Sequence, residues 1–502
     1  MLVQLDRGSK IPYHLQIRNQ LRERILSGAL PPGSRLPATR DLARALGVNR
    51  TTVVTAYRAL WSEGLVKGRA GGGTVVARPP EAPGRPSPAP LPLVWEDRYT
   101  ARVRPSAHWT EGAAPKGRTD VIPFDAGSPP AELFPVDAVR EAVADVLARG
   151  PNALRYTPAP GDPELRRLLA ERLELAGIRA TPSQVLVLSG SEQGIFLVAQ
   201  ALLEPGDGVV VEAPTYPGAL RTFRILGAQL HPVPVDEDGM RLDVLEGVLA
   251  HGRPKLIYTV PTFHNPTGTT MSADRRRALL DLAYRYRVPI LEDDPYHALR
   301  YEGAPVPPIK ALDRQNHVIY LSTFSKAFFP GLRVGWLVAP SGVTERLAAL
   351  RRSLDLCPSS LGQAVAHELL RRNTGHVERV VPIYRARRDA MLAALDRHCR
   401  RLMDWHRPQG GFFVWVKLRD GVYAEELLAE AVRTGVTFVP GRPFFPEGAG
   451  GEAQVRLSFP GVSEERIEEG VRRLAAAFRR CRTRQGKEVP PEAVAAQARP
   501  LV

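Results

Sequence analysis

The chain has 502 residues, 44% of them hydrophobic, and its 68 Lys and Arg exceed its 53 Asp and Glu for a formal net charge of +15. That length exceeds one ordinary core and that apolar fraction excludes a wholly disordered chain, so two or more globular domains are expected. Cys357, Cys399 and Cys481 are odd in number and far apart, which excludes a disulfide framework and a zinc site and points to a reducing, cytoplasmic setting; no apolar run nears the ~20 residues of a membrane span, so no membrane contact is expected.

Residues 1–78 hold 13 Lys and Arg against 4 Asp and Glu, nine of the fifteen net positive charges. Charge concentrated in a small domain is the footprint of a polyanion binder, although an arginine-rich composition alone would look the same. The helical pattern is more specific. Pro37-Ala-Thr-Arg-Asp-Leu-Ala-Arg-Ala-Leu-Gly47 places a proline at a helix start and a glycine where a C-cap belongs. A second helix begins in Val48-Asn-Arg-Thr-Thr-Val-Val-Thr-Ala-Tyr-Arg-Ala-Leu60, with Asn49 as N-cap and Val53, Ala56, Tyr57 and Leu60 on one face. Two short helices about a Gly-containing turn predict a helix-turn-helix, with Arg50, Thr51 and Thr52 at the end that meets DNA. After Gly64, Leu65-Val-Lys67 and Thr74-Val-Val76 flank a glycine-rich tip and predict a hairpin whose Lys67 and Arg69 add charge.

Residues 79–118 contain Pro79, Pro80, Pro83, Pro86, Pro88, Pro90, Pro92, Pro105 and Pro115, each lacking a backbone donor and fixing φ. They predict a semi-extended linker, part of which docks through Trp95, Tyr99 and Trp109. From 119 to 482 short apolar runs alternate with helical patterns: Val185–Leu188, Val209–Val211, Leu256–Val260, Pro289–Leu291, Val318–Leu321 and Val334–Val338. Strands apolar on both faces predict a mostly parallel sheet in a large α/β domain. The leucines of 163–173 predict one of its helices, and a smaller C-terminal α+β lobe is expected from about 345. The tail 483–502, polar with several prolines, is expected to be loosely ordered.

Within that domain, Ser322-Thr-Phe-Ser-Lys-Ala-Phe-Phe-Pro-Gly-Leu-Arg333 has the form of a pyridoxal-phosphate lysine segment, with Lys326 as nucleophile and Arg333 as phosphate anchor. The tasks of such a site find candidates in chain order. Ser189-Gly-Ser-Glu-Gln-Gly194 follows a strand and opens a helix, so Gly190 and Ser191 offer amides to a phosphate. Tyr216 is placed to stack on the pyridine ring, and Asn265, in His264-Asn-Pro-Thr-Gly268, to donate to its hydroxyl. Asp293 ends an apolar strand at the sheet's carboxyl edge, where it can pair with the ring nitrogen, and Tyr296 can reach the hydroxyl. A strand-end aspartate also serves as a plain helix cap.

These motifs resemble known families at both ends of the chain. Pro12–Ile17, Ser27–Gly33, Leu36–Ala43, Arg50–Val53 and Gly71–Thr74 resemble the GntR-type winged helix-turn-helix, which implies DNA contacts from Arg40, Arg50 and Arg69. The segments of residues 120–480 resemble fold-type I aminotransferases, particularly the aminoadipate and kynurenine branch. That resemblance implies a homodimer in which Tyr156 reaches the partner's cofactor phosphate, with Ser325 and Arg333 holding the phosphate, Arg456 taking a substrate α-carboxylate and Gly127 lining the pocket. Glu192 departs from the glutamine common in relatives, and a carboxylate beside a phosphate must point away. The combination resembles the MocR family of transcription regulators. It implies pyridoxal 5′-phosphate on Lys326, exchange onto an amino-acid or amine effector as an external aldimine, and binding to promoter DNA. Two other outcomes of the same parts are an active aminotransferase with a DNA-binding appendage and a regulator of vitamin B6 synthesis that senses the cofactor itself.

Overall fold

A computed structural model describes residues 3–9, 11–68, 73–77, 95, 98–100, 102, 120–446 and 450–485. Contacts divide the chain into two compact units, Met1–Arg98 and Tyr99–Val502. Most of the expected linker lies outside the described residues, Trp109 included; Trp95 and Tyr99 are described and exposed.

In the first unit, α1 (Tyr13–Leu26), α2 (Thr39–Leu46) and α3 (Arg50–Ser62) precede an antiparallel pair, β1 (Val66–Gly68) and β2 (Thr74–Val76), with Val66 opposite Val76. Ile17, Leu21 and Ile25 repeat every four residues along α1 and bury against Leu42, Leu46, Val53 and Leu60. Gly47 ends α2 at φ 65°, and Asn49 Oδ1 accepts the Thr51 amide at 3.0 Å, so the expected C-cap and N-cap define the turn. Pro37 precedes the N-cap Ala38 and does not enter the first turn; its carbonyl accepts the Tyr57 hydroxyl at 2.9 Å, which ties α3 to the start of α2.

The second unit begins with β3 (Ile122–Pro123) and is organised by eight strands: β4 (Val185–Leu188), β5 (Gly208–Ala213), β6 (Gln229–Asp236), β7 (Gly239–Met240), β8 (Leu256–Thr259), β9 (Ile290–Asp293), β10 (Val318–Thr323) and β11 (Gly335–Val338). Their order is β4-β11-β10-β9-β8-β5-β6-β7. The central pairs are parallel, while β11 runs antiparallel to both neighbours and β7 antiparallel to β6. Along β4, Leu186 and Leu188 enter one apolar cluster and Val185 and Val187 another, so the sheet is covered on both faces as its continuous apolar strands require. The sequence reading omitted β6, which is half-exposed and carries Pro232 and Pro234.

The smaller lobe is an antiparallel sheet of β12 (Met403–Trp405), β13 (Phe413–Leu418), β15 (Val439–Pro440) and β16 (Gln454–Ser458), with β14 (Val436–Thr437) paired in parallel to β3. Ile122 and Phe124 thereby join the lobe's core beside Val436 and Leu474. The lobe starts later than the expected 345. The helices Ser341–Arg352 and Ser360–Arg372 pack on the large sheet instead, through Leu347 and Ala348 on one face and Val365 and Leu369 on the other. The last helix continues to Gln485, past the expected start of the tail, and residues 486–502 lie outside the described residues. Among the described residues no helix is long and apolar enough to cross a membrane.

Candidate cofactor site and DNA-facing helix

The large sheet delivers Asp293 at the carboxyl end of β9, 3% exposed. Tyr258 on β8 donates its hydroxyl to Asp293 Oδ2 at 2.8 Å. The register explains the meeting: Tyr258 lies opposite Leu291, and Asp293, two residues on, shares that face. Asp293 Oδ1 is buried with no hydrogen-bond partner among the described residues. Burial pushes this carboxyl up from 3.8 to about 7, although the Tyr258 hydrogen bond and the Lys326 charge act against it. A buried acceptor that lacks a donor is the partner a protonated ring nitrogen requires.

Lys326 follows β10 in a turn, half-buried, and its Nζ donates to the Gly127 carbonyl at 2.7 Å. A Cβ at Gly127 would sit 3.9 Å from Arg456 and 4.0 Å from Phe413, so no clash demands glycine there. Ser325 is buried, and its hydroxyl accepts from Thr323 at 3.0 Å and lies 3.5 Å from Arg333 Nη1. Arg333 adopts φ 50°, and its Nη2 donates to the Ser189 carbonyl at 2.8 Å, which holds the guanidinium at the start of the helix Ser191–Leu202. Gly190, the N-cap, adopts φ 104°, a conformation that side chains rarely take, and a Cβ there would stand 2.6 Å from Arg333 Nη2, which would have to move. Gly190, Ser325 and Arg333 therefore meet at the start of the helix whose first residue is Ser191.

Glu192 points away from that cradle. Its Oε1 accepts the Tyr216 hydroxyl at 2.6 Å and lies 3.4 Å from Arg221. Asn265, at a cis bond to Pro266, accepts from Arg456 Nη1 at 3.1 Å through its Oδ1, which leaves its amide nitrogen as the remaining donor. Arg456 Nη2 donates to the Asp125 carbonyl at 3.0 Å, and the guanidinium lies 4.2 Å over the Phe413 ring and 5.1 Å from that of Phe444. Tyr296 is buried edge-on against Phe412 and Phe413, and burial raises its phenol above the ordinary value. Tyr156 stands apart, 82% exposed. Together these groups fit pyridoxal phosphate: an orphaned acceptor for the ring nitrogen, an arginine and helix amides for the phosphate, and a lysine whose charge acts on that acceptor.

Sequence reasoning missed Tyr258. A tyrosine inside the fully buried run Leu256-Ile-Tyr-Thr259 is itself the signal, since a buried phenol needs an acceptor. In the first unit Arg40, Arg50 and Thr51 are exposed at the helix-turn-helix, Thr52 is half-buried, and the Thr51 hydroxyl donates to Asn49 at 2.9 Å. Arg69 lies outside the described residues.

Comparison with known proteins agrees at both ends of the chain. Residues 119–474 match the family described as aminotransferase class I and II, and residues 14–76 match the gntR family of bacterial regulatory proteins. YdfD of Bacillus subtilis, described as an uncharacterized HTH-type transcriptional regulator, is 33% identical over 95% of this chain and 98% of its own. The probable rhizopine catabolism regulatory protein MocR of Rhizobium meliloti is 32% identical over 95% of this chain and 96% of its own. Among solved structures, LysN, the α-aminoadipate aminotransferase of Thermus thermophilus in complex with N-(5′-phosphopyridoxyl)-L-leucine, superposes with a TM-score of 0.70 at 37% identity, covering 78% of this chain and 99% of that one.

Proposed function

The chain belongs to the MocR-type transcriptional regulators, a GntR-family helix-turn-helix joined to a class I and II aminotransferase domain, and on that premise we propose that it responds to an amino compound captured at Lys326. Its cofactor is pyridoxal 5′-phosphate. When bound, the cofactor supplies an aldehyde that amines condense with and a protonated ring that draws electrons. Lys326 is the nucleophile, kept near the Gly127 carbonyl. Arg333, Ser325 and the amides at Gly190 and Ser191 hold the phosphate; Asp293 Oδ1 accepts from the ring nitrogen while Tyr258 fixes the other oxygen. Asn265 and Tyr296 serve the ring hydroxyl, and Tyr216 covers the ring. Arg456, oriented by Asn265 and Asp125, takes the effector's carboxylate in a two-pronged hydrogen bond beside Gly127. Tyr156, exposed in one copy, reaches the cofactor phosphate of the second copy in a homodimer. Arg40, Arg50, Thr51, Thr52 and Arg69 meet promoter DNA.

The observation that supports this reading is the buried Asp293 Oδ1, without a hydrogen-bond partner among the described residues, in a unit that also carries Lys326 and Arg333, on a chain with a gntR-family module at residues 14–76. The test is the absorbance of the cofactor-loaded protein, wild type and Lys326→Ala, titrated with a panel of amines with and without a 2-oxoacid. A band that one amine shifts without repeated turnover, absent from Lys326→Ala, with a matching change in DNA affinity, supports the sensor. Repeated cycles with a 2-oxoacid make the protein an aminotransferase that also binds DNA, the reading favoured by the completeness of the side-chain set. A wild type with no bound-cofactor band overturns both.

A further inference from the structure

Ser189 follows β4 and, with Gly190, leads into the helix Ser191–Leu202. All three of its polar groups are engaged. Its carbonyl accepts from Arg333 Nη2 at 2.8 Å, its N–H donates to Gln193 Oε1 at 2.8 Å, and its hydroxyl donates to Asp355 Oδ2 at 3.2 Å. Gln193 Nε2 donates to that same Asp355 oxygen at 2.6 Å. Ser189, Gln193 and Asp355 thus close a ring of hydrogen bonds around the residue whose carbonyl carries Arg333.

Asp355 comes from 166 residues further along, just past the helix Ser341–Arg352, and is held from its other side. Arg351 Nε stands 3.5 Å from Asp355 Oδ1; the arginine side chain is fully buried and that of the aspartate is 30% exposed. The same guanidinium donates through Nη1 to the Val187 carbonyl on β4 and through Nη2 to the Ala159 carbonyl. A buried charge needs a partner, and this one ties the carboxylate to the strand that leads into Ser189. The chain turns sharply to present Asp355: its carbonyl accepts the Cys357 N–H at 2.6 Å, and Leu356 between them adopts φ 60°, which leucine seldom does. Glu192, the other acid at this helix start, is engaged with Tyr216 and Arg221 instead.

We propose that Asp355 is a positioning residue for the cofactor phosphate: it fixes the Ser189 peptide, whose carbonyl in turn fixes the Arg333 guanidinium. A carboxylate would repel a phosphate as a direct contact, but its oxygens here face protein donors and the Arg351 cation. Hydrogen bonds to an ionised acceptor are the stronger kind, which suits Asp355 Oδ2 to hold two donors at once. Arg333 depends on the result. At 2.8 Å the Ser189 carbonyl is its closest acceptor among the described residues, against 3.3 Å for the Pro330 carbonyl and 3.5 Å for the Ser325 hydroxyl. The inference rests on Arg333 holding the phosphate, and it names what holds Arg333.

The test titrates the full-length protein, freed of cofactor, with pyridoxal 5′-phosphate and with pyridoxal, the same ring without the phosphate, by equilibrium dialysis. Asp355→Ala should weaken pyridoxal phosphate by about three- to tenfold, the range of a net hydrogen bond, and leave pyridoxal unchanged. Asp355→Asn keeps an oxygen for Ser189 and Gln193 and should restore the loss, although it too removes the charge facing Arg351. A role confined to neutralising Arg351 predicts instead that both variants lose both ligands alike, and that result overturns the inference. If Asp355→Ala fails to fold, Gln193→Leu, which breaks the same ring, decides by the same contrast between the two ligands. Pyridoxal phosphate bound by Asp355→Ala as tightly as by wild type overturns this inference alone; a wild type that takes up neither ligand overturns the cofactor reading and this inference with it.

Discussion

Replacing Asp293 by asparagine should make the cofactor-free protein more stable at neutral and alkaline pH. In the unfolded chain this carboxyl titrates near 3.8, and in the fold burial moves it to about 7. Between those values the folded protein holds a proton that the unfolded chain has released, so the group destabilises the fold increasingly as pH rises from 3.8 and levels off above 7. The full displacement corresponds to roughly 4 kcal/mol. Asparagine keeps an oxygen for the Tyr258 hydroxyl but buries an amide N–H₂ short of acceptors, a cost of about 1–3 kcal/mol. The net expectation is a gain of about 1–3 kcal/mol above pH 8 that shrinks steadily toward pH 5. Urea unfolding of wild type and Asp293→Asn, both cofactor-free, measures it between pH 5 and 9; Glu292, also pushed up by burial to about 7, contributes equally to both proteins and cancels. Cofactor affinity should move the other way and fall by two to three orders of magnitude, because a charged partner for the buried ring nitrogen is gone. An asparagine variant no more stable than wild type at any pH in that range would falsify the claim that this carboxylate is held at a cost to the fold.

Gly190→Ala places a methyl 2.6 Å from Arg333 Nη2 at φ 104°, so Arg333 must leave the Ser189 carbonyl; cofactor dissociation, measured by dialysis, should rise at least about tenfold. Arg456→Lys loses the hydrogen bonds to Asn265 and Asp125 and the stacking on Phe413, so effector affinity should drop about 10- to 100-fold while the cofactor's own absorbance band persists. Arg50→Ala at the exposed start of α3 should weaken operator binding and lower the slope of log affinity against log salt by about one, as loss of a phosphate contact requires; an unchanged slope would remove Arg50 from the backbone contacts.

Much of this protein was legible along the chain because its signals are local. Asn49 and Gly47 mark the turn between α2 and α3 through hydrogen bonds and φ values that involve only near neighbours. The run Val185–Leu188 shows a strand covered on both faces before its partners are known, and the spacing of Lys326 and Arg333 within one turn-rich segment already implies that they act together. What the tertiary structure alone decided was pairing across distance. Tyr258 meets Asp293 because of the register of β8 on β9, and a shift of one residue would turn the hydroxyl to the other face. Ile122 and Phe124 bury against strands more than 300 residues later, and Arg456 reaches Asn265 across 191. Glu192 turns to Tyr216 and Arg221, a choice among nearby partners that no local preference encodes. Asp355 likewise reaches Ser189 across 166 residues, a meeting made only once the helix Ser341–Arg352 has packed on the large sheet, because contacts this distant in sequence come from packing and not from local preference.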